Sequence, residues 1–175
     1  MTIHRTHRRV LSLAAALAAG SLALTACGNT QNSDTVSGSG GPTTVTSIDG
    51  QKIELPATGE PTAVFFFSVG CGECVGGVRS LGEAATVAEK TGADANFLAV
   101  DIDPGESKET IEGFMDYVDA EHVPATIDTN ATLSQRFQVA ALSTLSGSDA
   151  DGNVTFRATD PDAKTITTEL EKAGA

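Results

Sequence analysis

From residue 43 to residue 55 apolar and polar positions alternate, with Val45 and Ile48 before Asp49-Gly50 and Ile53 and Leu55 after it. Asp and Gly both tolerate the positive φ of a tight turn, so this stretch predicts a β-hairpin. Pro56 to Pro61 interrupts the pattern. Ala63 to Val69 is then a near-continuous apolar run of strand length, the form expected when a sheet buries both faces of a strand. From Cys71, or just after it, to about Thr91 the period changes. Val75, Val78, Leu81, Ala85 and Ala88 recur at three- and four-residue steps, which predicts a helix, and Gly92 suits its C-terminal cap. Gly76 and Gly77 lie inside that helix at a cost of about 1 kcal/mol each relative to Ala. The helix is therefore expected to be soft near the cysteines.

The alternation of strands and helices continues down the chain. Asn96 to Ile102 reads as a second buried strand, ending at Asp101-Ile102-Asp103-Pro104, and a helix follows from about Glu106 to Ala120 with Ile111, Phe114, Met115 and Val118 on its apolar face. His122 to Asp128 predicts a short strand. Thr132 to Phe137 predicts a short helix capped by Thr129 or Asn130. Val139 to Ser148 is weakly patterned, Asp151-Gly152 is a turn and Val154 to Arg157 a strand, and Asp162 to Ala173 closes the chain as an amphipathic helix with Ile166 and Leu170 four residues apart. This order predicts an α/β fold, a sheet with helices on both faces.

The first 42 residues follow different rules. A basic stretch from His4 to Arg9 precedes an apolar, Ala- and Leu-rich stretch from Val10 to Leu24, and Leu24-Thr25-Ala26-Cys27 ends it with small residues before a cysteine. That layout predicts a secretory leader over residues 1–26, too short and wrongly flanked for a lasting membrane span. Its ending resembles the lipobox of bacterial lipoproteins. The resemblance implies that Cys27 is lipidated and becomes the first mature residue. Gly28 to Pro42 is dominated by Gly, Ser, Asn and Thr and predicts a flexible tether with a reach of roughly 20 Å. The expected organisation is thus a leader over 1–26, a tether over 27–42 and one domain over 43–175, held at the extracytoplasmic face of a bacterial cell membrane.

Charge and cysteine count sharpen this picture. The 175 residues carry a formal charge of −12, which becomes −15 once Arg5, Arg8 and Arg9 leave with the leader. Such a surface repels nucleic acid, so no nucleic-acid partner is expected. Of three cysteines, Cys27 is assigned to the lipid, which leaves Cys71 and Cys74 to pair with each other or with a partner molecule outside the cytoplasm, where disulfides persist. Two thiols spaced this way at the start of a helix can close a disulfide and reopen it, or hold a soft metal ion.

With the cysteines in place, the chain resembles the thioredoxin superfamily, and within it the TlpA-like membrane-anchored thiol-disulfide oxidoreductases and their peroxiredoxin-related cousins. The resemblance spans about Thr44 to Glu171. It rests on the hairpin with Asp49-Gly50, the apolar strand running into Cys71-x-x-Cys74, the strand ending Val100-Asp101-Ile102-Asp103, the segment from Val123-Pro124 to Asp128, and Phe137-Gln138-Val139. It implies a thioredoxin-like fold: a mixed central sheet of four to five strands, flanked by helices on both faces, with an N-terminal β-hairpin. Cys71 and Cys74 stand at the start of the first long helix. It also marks Gly70, Gly72 and Glu73 as neighbours of the site. The family has an aromatic residue where Gly70 stands, a proline near Arg79, and a cis-proline where counting from Val139 puts Ser143; Thr144 keeps the usual Thr after it.

The chemistry expected of the pair follows from its position. Cys71, nearer the positive end of the helix dipole, is the attacking thiolate and Cys74, farther in, the resolving one. Glu73 opposes the dipole by raising the thiolate pKa, which points to a reducing or mildly oxidising couple. Three readings of the pair remain open: disulfide exchange with extracytoplasmic protein thiols and a recycling partner, binding of Cu(I) or Hg(II) by both thiolates without turnover, and an inert structural disulfide. No cofactor is expected, and no metal in the exchange reading. Asp101 and Asp103 are expected to cap the following helix rather than to bind calcium, His122 to be a surface residue rather than a ligand or base, and Phe65, Phe66 and Phe67 to be core.

Overall fold

The computed structural model describes residues 42–175 except residue 58. The predicted leader, the predicted tether up to residue 41 and Cys27, the expected lipid site, lie outside the described residues. The elements run in the order β1 (Thr43–Thr46), β2 (Lys52–Leu55), β3 (Thr62–Phe67), α1 (Cys74–Thr91), β4 (Asn96–Asp101), α2 (Lys108–Tyr117), β5 (Ala125–Ile127), α3 (Thr132–Arg136), β6 (Thr144–Ser148), β7 (Val154–Thr159) and α4 (Ala163–Ala173). Strands β3 to β7 make a mixed sheet in the order β5-β4-β3-β6-β7. The β3–β4 and β4–β5 pairs are parallel, and β6 and β7 join antiparallel. This is the mixed α/β sheet that the resemblance implies.

Strand β3 is central because its sequence can be nothing else. All six residues are buried, so both faces must be covered. Its side chains alternate between two cores. Ala63, Phe65 and Phe67 pack with Cys74, Val78 and Leu81 of α1, Ile111 and Phe114 of α2, and Ile166 and Leu170 of α4. Val64 and Phe66 pack with Leu55 of the hairpin and with Leu133 and Phe137 of and beside α3. Phe67 stacks on Phe114 with ring centroids 5.2 Å apart, which ties α2 to the end of β3.

The hairpin forms as its Asp49-Gly50 turn predicts, with Gly50 at φ 89° and Val45 opposite Ile53. It is pinned to the sheet by Ile48 N–H donating to the Ala125 carbonyl (2.8 Å) and Thr126 Oγ1–H donating to the Thr46 carbonyl (2.8 Å). Gly92 closes α1 in the left-handed region, as its position predicts.

Three local expectations are corrected. Helix α2 starts at Lys108 rather than Glu106, and its cap is Ser107, whose Oγ accepts from Thr110 N–H at 3.2 Å, not Asp101 or Asp103. The N-terminus of α3 is held from farther back than Thr129 or Asn130: the Asp128 carboxylate accepts from the N–H groups of Leu133 and Ser134. The weakly patterned stretch before residue 148 contains β6, which lies between β3 and β7. Its small residues are the complement of a bulky neighbour. Ser146 and Gly147 lie opposite Val64 and Ala63, beside the phenylalanines of β3, and strand pairing rather than apolar periodicity holds them.

The two helical glycines do different things. A Cβ on Gly76 would meet nothing within 4 Å, whereas one on Gly77 would stand 2.1 Å from Cζ of Phe65. Gly77 is the close approach of α1 to β3. Gly76→Ala is expected to raise stability by about 0.5–1 kcal/mol. Gly77→Ala is expected to lower it by about 1–3 kcal/mol through overpacking, both measured by urea unfolding.

Candidate functional site

Strand β3 delivers the chain to the site and a pair of turns carries it into α1. Cys71 N–H donates to the Ser68 carbonyl at 3.0 Å, and Cys74 N–H donates to the Cys71 carbonyl at 3.1 Å and approaches Cys71 Sγ at 3.2 Å. Cys71 and Cys74 are joined as a disulfide, with their Cα atoms 5.3 Å apart. Helix α1 begins at Cys74, so Cys71 lies three residues before it instead of within its first turn. Glu73 holds the N-cap position without a side-chain capping bond.

Burial separates the two sulfurs. Cys74 has no exposed surface and belongs to the core, while Cys71 is partly exposed, next to the exposed Gly70, Gly72 and Glu73. The space beside the two glycines is open, since a Cβ on Gly70 or Gly72 would meet nothing within 4 Å. A partner can therefore reach Cys71 first, and Cys74 only through it.

Ser143 is brought to the site as its alignment implies. It is buried, precedes β6, and its Oγ lies 3.1 Å from the place a Cβ on Gly77 would take, one helical turn beyond Cys74. Its backbone adopts φ 59°, its hydroxyl donates to Asp160, and its carbonyl accepts from Asp160 N–H at 3.0 Å. Thr144 opens β6 opposite Phe66 and donates to the Ala141 carbonyl at 2.8 Å.

Comparison with known proteins gives this geometry its context. No family model matches the chain. Over 132 residues, 75% of this chain and 69% of the relative, it is 57% identical to the "Mercury resistance operon ORF3" protein of Streptomyces lividans. The chain belongs to that protein's family. Its fold is the thioredoxin fold. StoA from Bacillus subtilis has a TM-score of 0.64 at 15% identity over 74% of this chain and 96% of that one. The exposed lipoprotein thioredoxin Etrx1 of Streptococcus pneumoniae has 0.63 at 19% over 75% and 99%. The MTB dsbF structure, in mixed oxidized and reduced forms, has 0.64 at 16% over 75% and 94%.

In this member of the mercury resistance ORF3 family two acidic groups take places that the hydrophobic pattern does not foretell. Asp160, the residue after β7, binds Ser143, and no motif marks it. Asp101 ends β4 opposite Phe67 and is fully buried. Burial pushes its carboxyl up to about 7, with the nearby Glu106 and Asp103 carboxylates adding to the rise against a hydrogen bond from Asp103 N–H. Elsewhere the plainer readings hold. His122 is exposed and its Nε2 lies 3.0 Å from the Gly82 carbonyl, roughly 12 Å along α1 from Cys74. Among the described residues no group of three or more His, Cys, Asp or Glu side chains could hold a metal ion.

Two outcomes test this geometry. Between pH of about 4 and 7 native Asp101 keeps a proton that the unfolded chain has released, so its contribution to stability falls as pH rises through that window and stays low above it. Asp101→Asn is expected to raise the melting temperature at pH 8 and leave it nearly unchanged at pH 3.5, with about 1.4 kcal/mol at stake for each unit of displacement. Ser143→Pro is expected to lose about 3 kcal/mol or more in urea unfolding, because proline cannot take φ 59°.

Proposed function

We propose that this protein is a thiol-disulfide exchanger that acts on extracytoplasmic protein thiols and disulfides, tethered to the membrane by a lipid on Cys27. The observation that carries the reading is the unequal pair: a partly exposed Cys71 bonded to a fully buried Cys74 at the start of an 18-residue helix. The leader, lipobox and tether in the sequence support the location. The domain that does the work is residues 43–175.

In the reducing direction the Cys71 thiolate attacks one sulfur of a partner's disulfide. A Cys71–partner disulfide forms, the partner's bond breaks and its second sulfur leaves as a thiolate. The buried Cys74, deprotonated, then attacks Cys71 Sγ. The mixed disulfide breaks, the partner's remaining thiolate leaves, and Cys71–Cys74 re-forms, two electrons having passed to the partner. The Cys74 N–H close to Cys71 Sγ supports a thiolate there. A second reading is favoured by the relative's name: both thiolates, once reduced, would hold one Hg(II) without turnover, thiolate being a soft ligand that suits this ion.

The full chain equilibrated against glutathione buffers of graded poise, with alkylation read at Cys71 and Cys74, is expected to give one reversible two-electron transition above about −300 mV. Cys74→Ser is expected to trap a mixed disulfide with a protein thiol. A pair that stays oxidised throughout overturns the exchanger in favour of a structural disulfide. A reduced pair that titrates with one Hg(II) and exchanges no faster than a simple dithiol overturns it in favour of metal binding.

A further inference from the structure

The Glu106 carboxylate reaches back across 37 and 38 residues to the turn that carries Cys71. It accepts from Ser68 Oγ–H at 3.1 Å and from Val69 N–H at 3.0 and 3.2 Å, one bond to each carboxylate oxygen. Both donors lie just beyond the end of β3. The Ser68 carbonyl in turn accepts from Cys71 N–H, so the hold on Ser68 and Val69 is passed directly to the attacking cysteine.

Glu106 itself stands on a loop, two residues before α2, and something must hold its side chain in place. The group beside it is Asp101. Its Oδ1 is occupied by Asp103 N–H, while its Oδ2 is completely buried and has no donor. Asp101 pairs with Phe67, the last residue of β3, and Glu106 holds the next two residues, Ser68 and Val69, so the two carboxyls come to the same strand end. Two carboxylates cannot face each other in a buried place without a proton between them. The orphaned Oδ2 is the atom that can carry it, and Glu106 is the acceptor at hand.

We propose that Asp101 is a positioning residue for Cys71: its protonated Oδ2 donates to Glu106 and so holds the Glu106 carboxylate on the Ser68-Val69 turn. The inference rests on Cys71 being the attacking thiol of the proposed exchange. With the hold in place, the turn keeps Cys71 Sγ close to the Cys74 N–H. Without it Glu106 swings to solvent, the turn loosens, and the Cys71 thiolate loses a donor. The proton on Asp101 is not consumed, and Asp101 touches neither sulfur nor partner in this role.

The test uses the full chain, reduced and at pH 6, where Asp101 holds its proton. It reads the rate of iodoacetamide alkylation at Cys71 by peptide mass spectrometry, together with the midpoint of the glutathione titration. Asp101→Asn still presents an N–H donor to Glu106 and is expected to react within about twofold of the parent. Asp101→Ala is expected to be about fivefold slower, the ratio that one hydrogen bond of ~1 kcal/mol yields, with its midpoint displaced from that of Asp101→Asn. Equal rates and midpoints in the two variants overturn the proposal. Should Asp101→Ala fail to fold, Glu106→Ala at the partly exposed position takes its place and is expected to show the same slowing relative to Glu106→Gln; equality there overturns the proposal equally. Alkylation needs no turnover. A protein that exchanges no disulfides, and so fails as an oxidoreductase, still reports whether Asp101 holds the Cys71 turn.

Discussion

The register of β3 between its two neighbours is the constraint on which the rest of this molecule depends. Phe67 pairs with Asp101 on one side, and Phe66 pairs with Thr144 on the other. Because the strand is locked by two ladders and buried on both faces, the chain must leave the sheet at a fixed point. A one-residue slip would turn every phenylalanine to the opposite core. The turn that follows, Ser68 to Cys71, therefore starts from a rigid base, and the cysteines inherit its position.

That base also explains why the site is flanked by polar groups that a core of this kind would otherwise reject. The end of β4 and the start of β6 flank the end of β3, so Asp101 arrives on one side of that strand and Ser143 on the other. Each is satisfied differently. Ser143 shares hydrogen bonds with Asp160 through both side chain and backbone. Asp101 keeps one oxygen unpartnered, and the low dielectric that makes this costly is also what retains its proton. A buried carboxyl at the end of a central strand represents stability given up at neutral pH, and such losses are tolerated where they position something.

The asymmetry of Cys71 and Cys74 has the same origin. Gly77 brings α1 against Phe65, so the helix sits low on the sheet and its first residue, Cys74, is drawn into the core. Cys71 remains on the turn before the helix, partly exposed. The difference in exposure between the two sulfurs is thus produced by packing rather than by any difference between two identical thiols.

Period and punctuation in the sequence determined the hairpin, the buried strands β3 and β4, the long helix after the cysteines and the amphipathic closing helix, because each buries its own apolar pattern and needs no distant partner to be legible. The spacing of Cys71 and Cys74 likewise marked the site, and counting from Val139 marked Ser143. Only the tertiary structure decided that Thr144 to Ser148 is a strand, since its small polar residues are held by ladders and by the bulk of β3. Only it decided that Asp101 and Glu106 come to the same strand end, that Glu106 grips the turn before Cys71, and that Asp160 closes on Ser143. These are pairings over 5 to 38 residues between groups unremarkable in themselves; the hydrophobic pattern sets where the backbone goes, and the meeting of polar side chains exists only after it has gone there.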